Sequence, residues 1–373
     1  MRIEAGGKMK SIRILTPSLE PLGEIDSYLS LSFCRRYHSY GEFELVLNRK
    51  TGGAGAIEIN TLIILGQDVN KAGIIRYKEI KTNERGEEIL TCKGCTLGGI
   101  LQLRITIPPD GQAYDIREAT AEAVMKDYVQ RNCIEMQEMA FPNLIIAPSL
   151  NRGQSIKWQS RYKSLAEELE QISQFSGLGW QINLDFNSKK WVFDIIEGKD
   201  CSVNQQKNPP VIFSPEFENV KSQEYVDSIV GYANYAVVAG KGEGADREIV
   251  MLGATETGID RYVTFVDARD VESTADLTER GNVRLSELKR TYSFQAEVLV
   301  KGPFEYQKDW EVGDVVTVQN KEWGVIMNSR ITEVTEIYEA GGFQLKAVFG
   351  NSLPTLSRKL KSTIKDVKTV VTS

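Results

Sequence analysis

The order of strand-like segments repeats along this chain, and the repeat limits the folds open to it. The early copy begins at Phe43-Glu44-Leu45-Val46-Leu47. It continues through Gly66-Gln67-Asp68-Val69 and Ala72-Gly73-Ile74-Ile75 to Ile89-Leu90-Thr91-Cys92-Lys93-Gly94. The late copy begins at Ala296-Glu297-Val298-Leu299-Val300. It continues through Val312-Gly313-Asp314-Val315-Val316 and Trp323-Gly324-Val325-Ile326 to Gln344-Leu345-Lys346-Ala347-Val348-Phe349-Gly350. Apolar and polar residues alternate in these segments, which is the period of a half-buried strand. A duplicated small β-barrel explains the matching order of elements and glycines. The plainer account is the general likeness of antiparallel β proteins.

The texture differs between the copies. Pro108-Pro109-Asp110-Gly111 marks a boundary, and Asp115 with Glu118 three residues on predicts a capped helix running toward Arg131. Ser164 and Glu167 repeat that spacing ahead of a stripe of Leu165, Leu169, Ile172 and Phe175, with Gly177 as the stop. A hairpin follows, with Trp180, Ile182 and Leu184 on one strand and Trp191, Phe193 and Ile195 on the other. Asn208-Pro209-Pro210 marks a second boundary. One more helix is predicted from Asp276 and Glu279, with Leu277, Gly281, Leu285 and Leu288 on one face. At roughly 150 residues per domain, 373 residues suggest two to three. The expected fold is mainly β with an α+β insert: two related small β-barrels flank an α+β module. The first barrel takes residues 1–108, with segments after 206 able to return and complete it. The α+β module takes 109–205, the second barrel with one helix 206–352, and a basic tail 353–373.

Composition restricts the chemistry. Apolar residues make up 41% and charged residues 26%, ordinary globular usage. A net charge of −6 argues against a surface that grips nucleic acid throughout. Apolar runs such as Leu144-Ile145-Ile146-Ala147 fall far short of the ~18 residues a membrane helix needs. Met1 to Ile14 shows no apolar signal-peptide core, so cytosolic synthesis is the expectation. His38 is the single histidine, so a Ser-His-Asp or Cys-His site would have to use it. Cys34, Cys92, Cys95, Cys133 and Cys201 are odd in number and widely spaced, unlike a secreted disulfide framework. Cys92-Lys93-Gly94-Cys95 has the spacing of half a zinc site, but no second pair of ligands accompanies it.

Ala239-Gly240-Lys241-Gly242-Glu243-Gly244 follows a strand. The next residues, Arg247 to Met251, read as another strand, so no helix N-terminus is there to meet a phosphate. Glu167, Glu168, Glu170, Asp185, Asp194 and Glu197 form no evident acid–base pair; Glu168 and Glu170 read as a solvated helix face. Trp180 and Trp191 share the apolar phase of their strands, and Trp158 is the one tryptophan expected at the surface. No catalytic residue, cofactor or metal is therefore assigned. Leu356, Leu360, Ile364, Val367 and Val371 make a helical seam amid Arg358, Lys359, Lys361, Lys365 and Lys368. This seam is the candidate oligomer or partner contact; a frayed basic terminus is the other reading.

Arg35-Arg36-Tyr37 followed by Gly41-Glu42-Phe43-Glu44-Leu45 resembles the N-terminal signature of siphophage hub-like tail proteins, the ReqiPepy-type family. Ser164 to Leu169 with Phe175 to Trp180, Asn234 to Gly244 with Asp246-Arg247, and Val312 to Gly350 resemble further stretches of that family, in the same order. The resemblance implies a structural baseplate hub or tail-tip protein of a virion tail, assembled in the host cytoplasm. It implies a homotrimer with pseudo-sixfold symmetry, joining the tail tube to a tip spike, fibre or hydrolase. DNA would meet it only in passage through the channel. The alternative at the same tip is an enzyme or carbohydrate-binding protein acting on the cell wall.

Overall fold

A computed structural model of the chain describes residues 9–271 and 273–350. Seven strands come first: β1 (Ile12–Leu15), β2 (Pro21–Ile25), β3 (Ser30–Arg36), β4 (Glu42–Asn48), β5 (Leu62–Leu65), β6 (Ala72–Thr82) and β7 (Glu88–Thr96). Their inward phase, including Leu31, Phe33, Phe43, Leu45 and Leu90, fills one core together with Ile12, Ile14 and Ile25. The alternation seen in the sequence is thus the alternation of burial.

The middle of the chain holds β8 (Asp115–Thr120), α1 (Ala121–Gln130), β9 (Leu144–Ile146), β10 (Ser155–Ser160), α2 (Leu165–Ser176), β11 (Gly179–Asp185) and β12 (Lys190–Ile196). Asp115 to Thr120 is a strand rather than the helix start expected from the Asp115–Glu118 spacing, because β10 pairs with it along its whole length. The helix begins one residue after Thr120, whose Oγ1 accepts from the Ala123 N–H at 3.4 Å. Gly177 ends α2 at φ 76°, in the left-handed region that glycine adopts at no steric cost. Trp180, Trp191 and Phe193 pack with both helices in a second core. Trp158 belongs to that core and is buried, which corrects its expected place at the surface. Its indole Nε1–H donates to Glu168 Oε2 at 2.8 Å, so one contact takes both residues out of water.

Short strands β13 (Asp200–Cys201) and β14 (Ile212–Phe213) lead to β15 (Val220–Ser228). The chain then makes a small unit of β16 (Tyr235–Ala239), β17 (Ile249–Gly253), β18 (Val263–Asp267) and α3 (Thr274–Glu287). Ser273 Oγ caps α3 by accepting from the Asp276 N–H at 3.2 Å. The glycine-rich stretch after β16 is the turn into β17, as its flanking strands predicted. The chain returns as β19 (Thr291–Val298), β20 (Val315–Asn320), β21 (Val325–Glu339) and β22 (Gly342–Gly350).

One sheet of 14 strands takes in both ends of the chain, in the order β15–β19–β22–β21–β3–β4–β7–β6–β5–β1–β2, with β20 branching from β21 and carrying β13 and β14. The path has two ends and no sheet closes into a barrel, so the expected pair of β-barrels is corrected to one open sheet. The cause lies at β3. One edge of β3 is taken by β4 and the other by β21, from Arg36↔Glu333 to Ser30↔Glu339. No edge of β3 is left for β2 to close upon. Alternation determines which face of a strand is buried, but it does not choose the partner on either edge. Within the two segments the neighbours run β4–β7–β6–β5 and β19–β22–β21–β20, antiparallel throughout.

Close approach of backbones limits which residues fit. A Cβ on Gly94 of β7 would stand 2.0 Å from the Ile74 carbonyl oxygen and 2.6 Å from the Phe43 ring. Gly94→Ala is expected to lower the unfolding free energy by about 3 kcal/mol in a urea titration. Gly55→Ala, where a Cβ meets nothing within 4 Å, should change it by less than about 0.5 kcal/mol. Equal midpoints for the two variants would contradict this packing.

Candidate functional site

The two halves of the sheet meet along β3 and β21, and charged residues lie buried on the inner side of that seam. Arg35 occupies the inward phase of β3 behind Leu31 and Phe33, and Glu336 that of β21 between Val334 and Tyr338. Lys71, in the turn between β5 and β6, has no exposed surface, and Glu336 is 1% exposed. Lys71 Nζ lies 2.5 Å from Glu336 Oε1 and donates to Gln307 Oε1 at 2.9 Å. Gln307 Nε2 donates to Asp68 Oδ2 at 2.7 Å, and Tyr338 OH donates to Glu336 Oε2 at 2.6 Å. Arg35 Nη2 donates to Tyr306 OH at 2.6 Å and to Glu311 Oε1 at 2.5 Å. The Tyr306 ring sits 5.2 Å from the Lys71 ammonium. Burial lowers the Lys71 pKa, with Glu336 opposing it. The network ties the loop between β19 and β20 to the first half of the sheet. Sequence reading missed it, although a charged residue on the apolar phase of a strand, as at Arg35 and Glu336, is a legible signal. Lys71 sits in a turn without period and gave none.

The outer side of the same seam carries an open groove of about 590 Å³. Its charges neutralise one another: Arg36 Nε is 2.7 Å from Glu333, and Lys93 Nζ is 2.5 Å from Glu44. A wall of paired charges has a short-ranged field and offers a polyanion no continuous basic track.

The groups that suggested chemistry have structural partners. His38 Nδ1 lies 2.7 Å from Ser173 Oγ, a separation suited to a base and its nucleophile. The roles run the other way. Ser173 donates its hydroxyl proton to the Leu178 carbonyl, so the imidazole supplies the N–H and the serine oxygen accepts it. Cys92 and Cys95 belong to different cores, three residues apart on a strand and so on opposite faces. Burial pushes the Cys92 thiol up to about 11 and those of Cys34 and Cys133 up to about 12, which keeps them protonated at neutral pH. Glu168, expected on a solvated face, is buried and held by Trp158 and by Lys163 at 3.0 Å. Asp185 accepts the Asn187 N–H and the Ser188 hydroxyl inside its hairpin turn. Asp194 pairs with Lys126 at 3.2 Å and Arg152 at 3.3 Å. Among the described residues, no group of three or more His, Cys, Asp and Glu is placed to hold a metal ion, and no helix is long and apolar enough to cross a membrane. Leu356, Leu360, Ile364, Val367 and Val371 lie outside the described residues.

Two variants test the buried ion pair, and a third tests the buried imidazole. Glu336→Ala leaves the Lys71 ammonium buried without its nearest anion and is expected to cost about 3–5 kcal/mol of stability. Lys71→Met combined with Glu336→Leu removes both charges and should stay within about 2 kcal/mol of the original chain. A single variant as stable as the original would show that the pair does not hold the seam. Burial, then Arg330, press the His38 pKa down from 6.5 to about 3. The folded chain keeps this ring neutral while the unfolded chain takes up a proton below about 6.5, so its contribution to stability is lost as pH falls. His38→Gln should reduce the loss of stability between pH 7 and pH 5 by up to about 2 kcal/mol. Superimposable pH profiles would contradict the burial of a neutral imidazole.

Three solved structures share this fold. A tail protein from Neisseria meningitidis MC58 superposes with a TM-score of 0.58 at 14% identity, over 92% of this chain and 96% of that one. The 43 kDa tail protein of prophage MuSo2 from Shewanella oneidensis gives 0.57 at 13% identity, over 91% and 97%. The prophage tail protein gp18 from Listeria monocytogenes EGD-e gives 0.52 at 10% identity, over 96% and 99%. No curated protein matches the chain in sequence. The family described as Siphovirus ReqiPepy6 Gp37-like protein matches residues 11–351, a span that takes in every strand and helix set out above, and the chain belongs to this family of phage tail proteins.

Proposed function

We propose that this chain is a structural hub at the distal end of a phage or prophage-derived tail. Three copies form a ring that joins the tail tube to the tip device. The observation that carries the reading is the single sheet built from two segments of like strand order, joined along β3 and β21. Two such segments per chain and three chains supply six wall units. A pseudo-sixfold ring of this kind meets a sixfold tube on one side and a threefold spike, fibre or hydrolase on the other. The sheet ends in two different strands, β2 and β15, and two unlike edges suit a head-to-tail contact that closes by rotation. The neutralised charges of the outer groove suit a surface past which DNA slides without binding. The role is structural rather than catalytic. The protein is part of the virion tail and is assembled in the host cytoplasm.

Light scattering of the full chain, alone and mixed with tail-tube and tip proteins, should give a threefold species in at least the mixture. Negative-stain images should show a ring with a central opening. A closed twofold dimer inside assembled particles would remove the hub reading. Clearing of a peptidoglycan suspension by the purified chain would remove the structural one.

A further inference from the structure

Residues 229–290 have a small core of their own. α3 packs on one face of the β17–β16–β18 sheet through Ala236, Val238, Val266 and Leu277. Alternation turns Tyr235, Val237, Ile249, Met251, Val263 and Phe265 to the other face. Register sets Met251 and Phe265 on either side of Val237, and Val263 beside Tyr235. Met251, Val263 and Phe265 are 63%, 59% and 60% exposed. Large apolar side chains scattered singly need no explanation, but a contiguous patch on a sheet marks a contact surface.

The path of the chain and its charge indicate what covers this face. β22 ends at Gly350, paired with Ser293, and a Cβ there would stand 2.4 Å from the Tyr292 carbonyl oxygen. Thr291 beside it pairs with Ser228, the last residue before the unit begins. The chain therefore leaves the sheet at the foot of this unit, with residues 351–373 to follow. Residues 351–355 extended reach about 16 Å. The 16 residues from 356 to 371 would span about 24 Å if helical, against about 17 Å for a strand of five residues. Exposed carboxylates flank the face: Glu243, Asp246 and Glu248 at one end, Glu256 and Asp260 at the other. The nearby cations are engaged, Arg247 with Asp267 and Arg261 over the Tyr235 ring at 4.4 Å. Residues 351–373 bring five Lys and Arg against one Asp.

We propose that residues 353–373 dock on this sheet face of their own chain. The stripe Leu356, Leu360, Ile364, Val367 and Val371 covers the apolar patch, and its basic residues meet the flanking carboxylates. The occupant is then an amphipathic basic segment supplied in cis.

Hydrogen exchange of the full chain tests this. Amides of 356–371 should exchange at least tenfold slower in the original chain than in Met251→Glu combined with Phe265→Glu. Ile326→Glu, an exposed apolar position on β21, should keep the protection. Amides of β3 and β21 report that the rest stays folded. A second measurement leaves the sheet face untouched: Leu360→Glu combined with Ile364→Glu should raise hydroxyl-radical oxidation of Met251 several-fold. Three results overturn the proposal: 356–371 exchanging at unprotected rates in the original chain, protection or Met251 oxidation unmoved by these variants, or protection lost on hundredfold dilution. The last would assign the contact to a second copy.

Discussion

A lysine and a glutamate without access to water hold the two halves of this molecule at a fixed place. Lys71 comes from the first half and Glu336 from the second, 2.5 Å apart, with Gln307 accepting from Lys71, Tyr338 donating to Glu336, and Asp68 3.6 Å from the ammonium. Burying two charges costs several kcal/mol each before their attraction returns any of it, so the pair adds little net stability. Its consequence is geometric. Any register of β3 on β21 other than the one that opposes Phe33 to Glu336 would strand one charge in an apolar core. The apolar residues drive the halves together, and the polar ones restrict how they meet.

Much of the architecture follows from that single ladder. Because β3 uses both edges, the sheet stays open and passes continuously from one half to the other. The middle module then packs on the sheet from one side. Tyr37, directly after β3, accepts the Trp180 N–H through its carbonyl and reaches the carbonyls of Gly177 and Ile196 through its hydroxyl. Trp180 Nε1 in turn donates to the His38 carbonyl at 3.0 Å. The few residues after β3 therefore touch both helical and sheet layers. The unit of residues 229–290 meets the middle module through polar contacts such as Lys157 to Asp276 and Gln159 to Asp270, and through Val283, which packs against the second core.

The reactive residue types, and where they fall along the chain, were legible in the sequence. One histidine, widely spaced thiols and unpaired carboxylates pointed away from catalysis. The structure adds a positive reason for each: a serine proton committed to a carbonyl, thiols divided between cores, and carboxylates spent on a tryptophan, two cations and a turn. The buried seam was not read, because Lys71 shows its meaning only beside residues more than 230 positions away, such as Gln307. Trp158 was misplaced for a similar reason: Lys157 and Gln159 make its neighbourhood look polar, while its own side of β10 faces α2.

Local information decided the strands, their buried faces, the presence of α2 and α3, and the glycine that ends α2, although the cap of α3 is Ser273 and not Asp276, and Ser164 precedes α2 without a side-chain cap bond. Each depends on residues within one or two turns or one pleat of one another, so period and capping chemistry suffice. The resemblance to the tail-protein family was present in the chain as well, and the family match over residues 11–351 bears out that assignment. Edge pairing was decided only in three dimensions. Whether the second edge of β3, the one away from β4, would meet another strand of its own half or β21, some 300 residues away, depends on side chains gathered from β3, β21 and two turns. The energy that selects one partner comes from burying all of them at once, and no window of the sequence contains that sum.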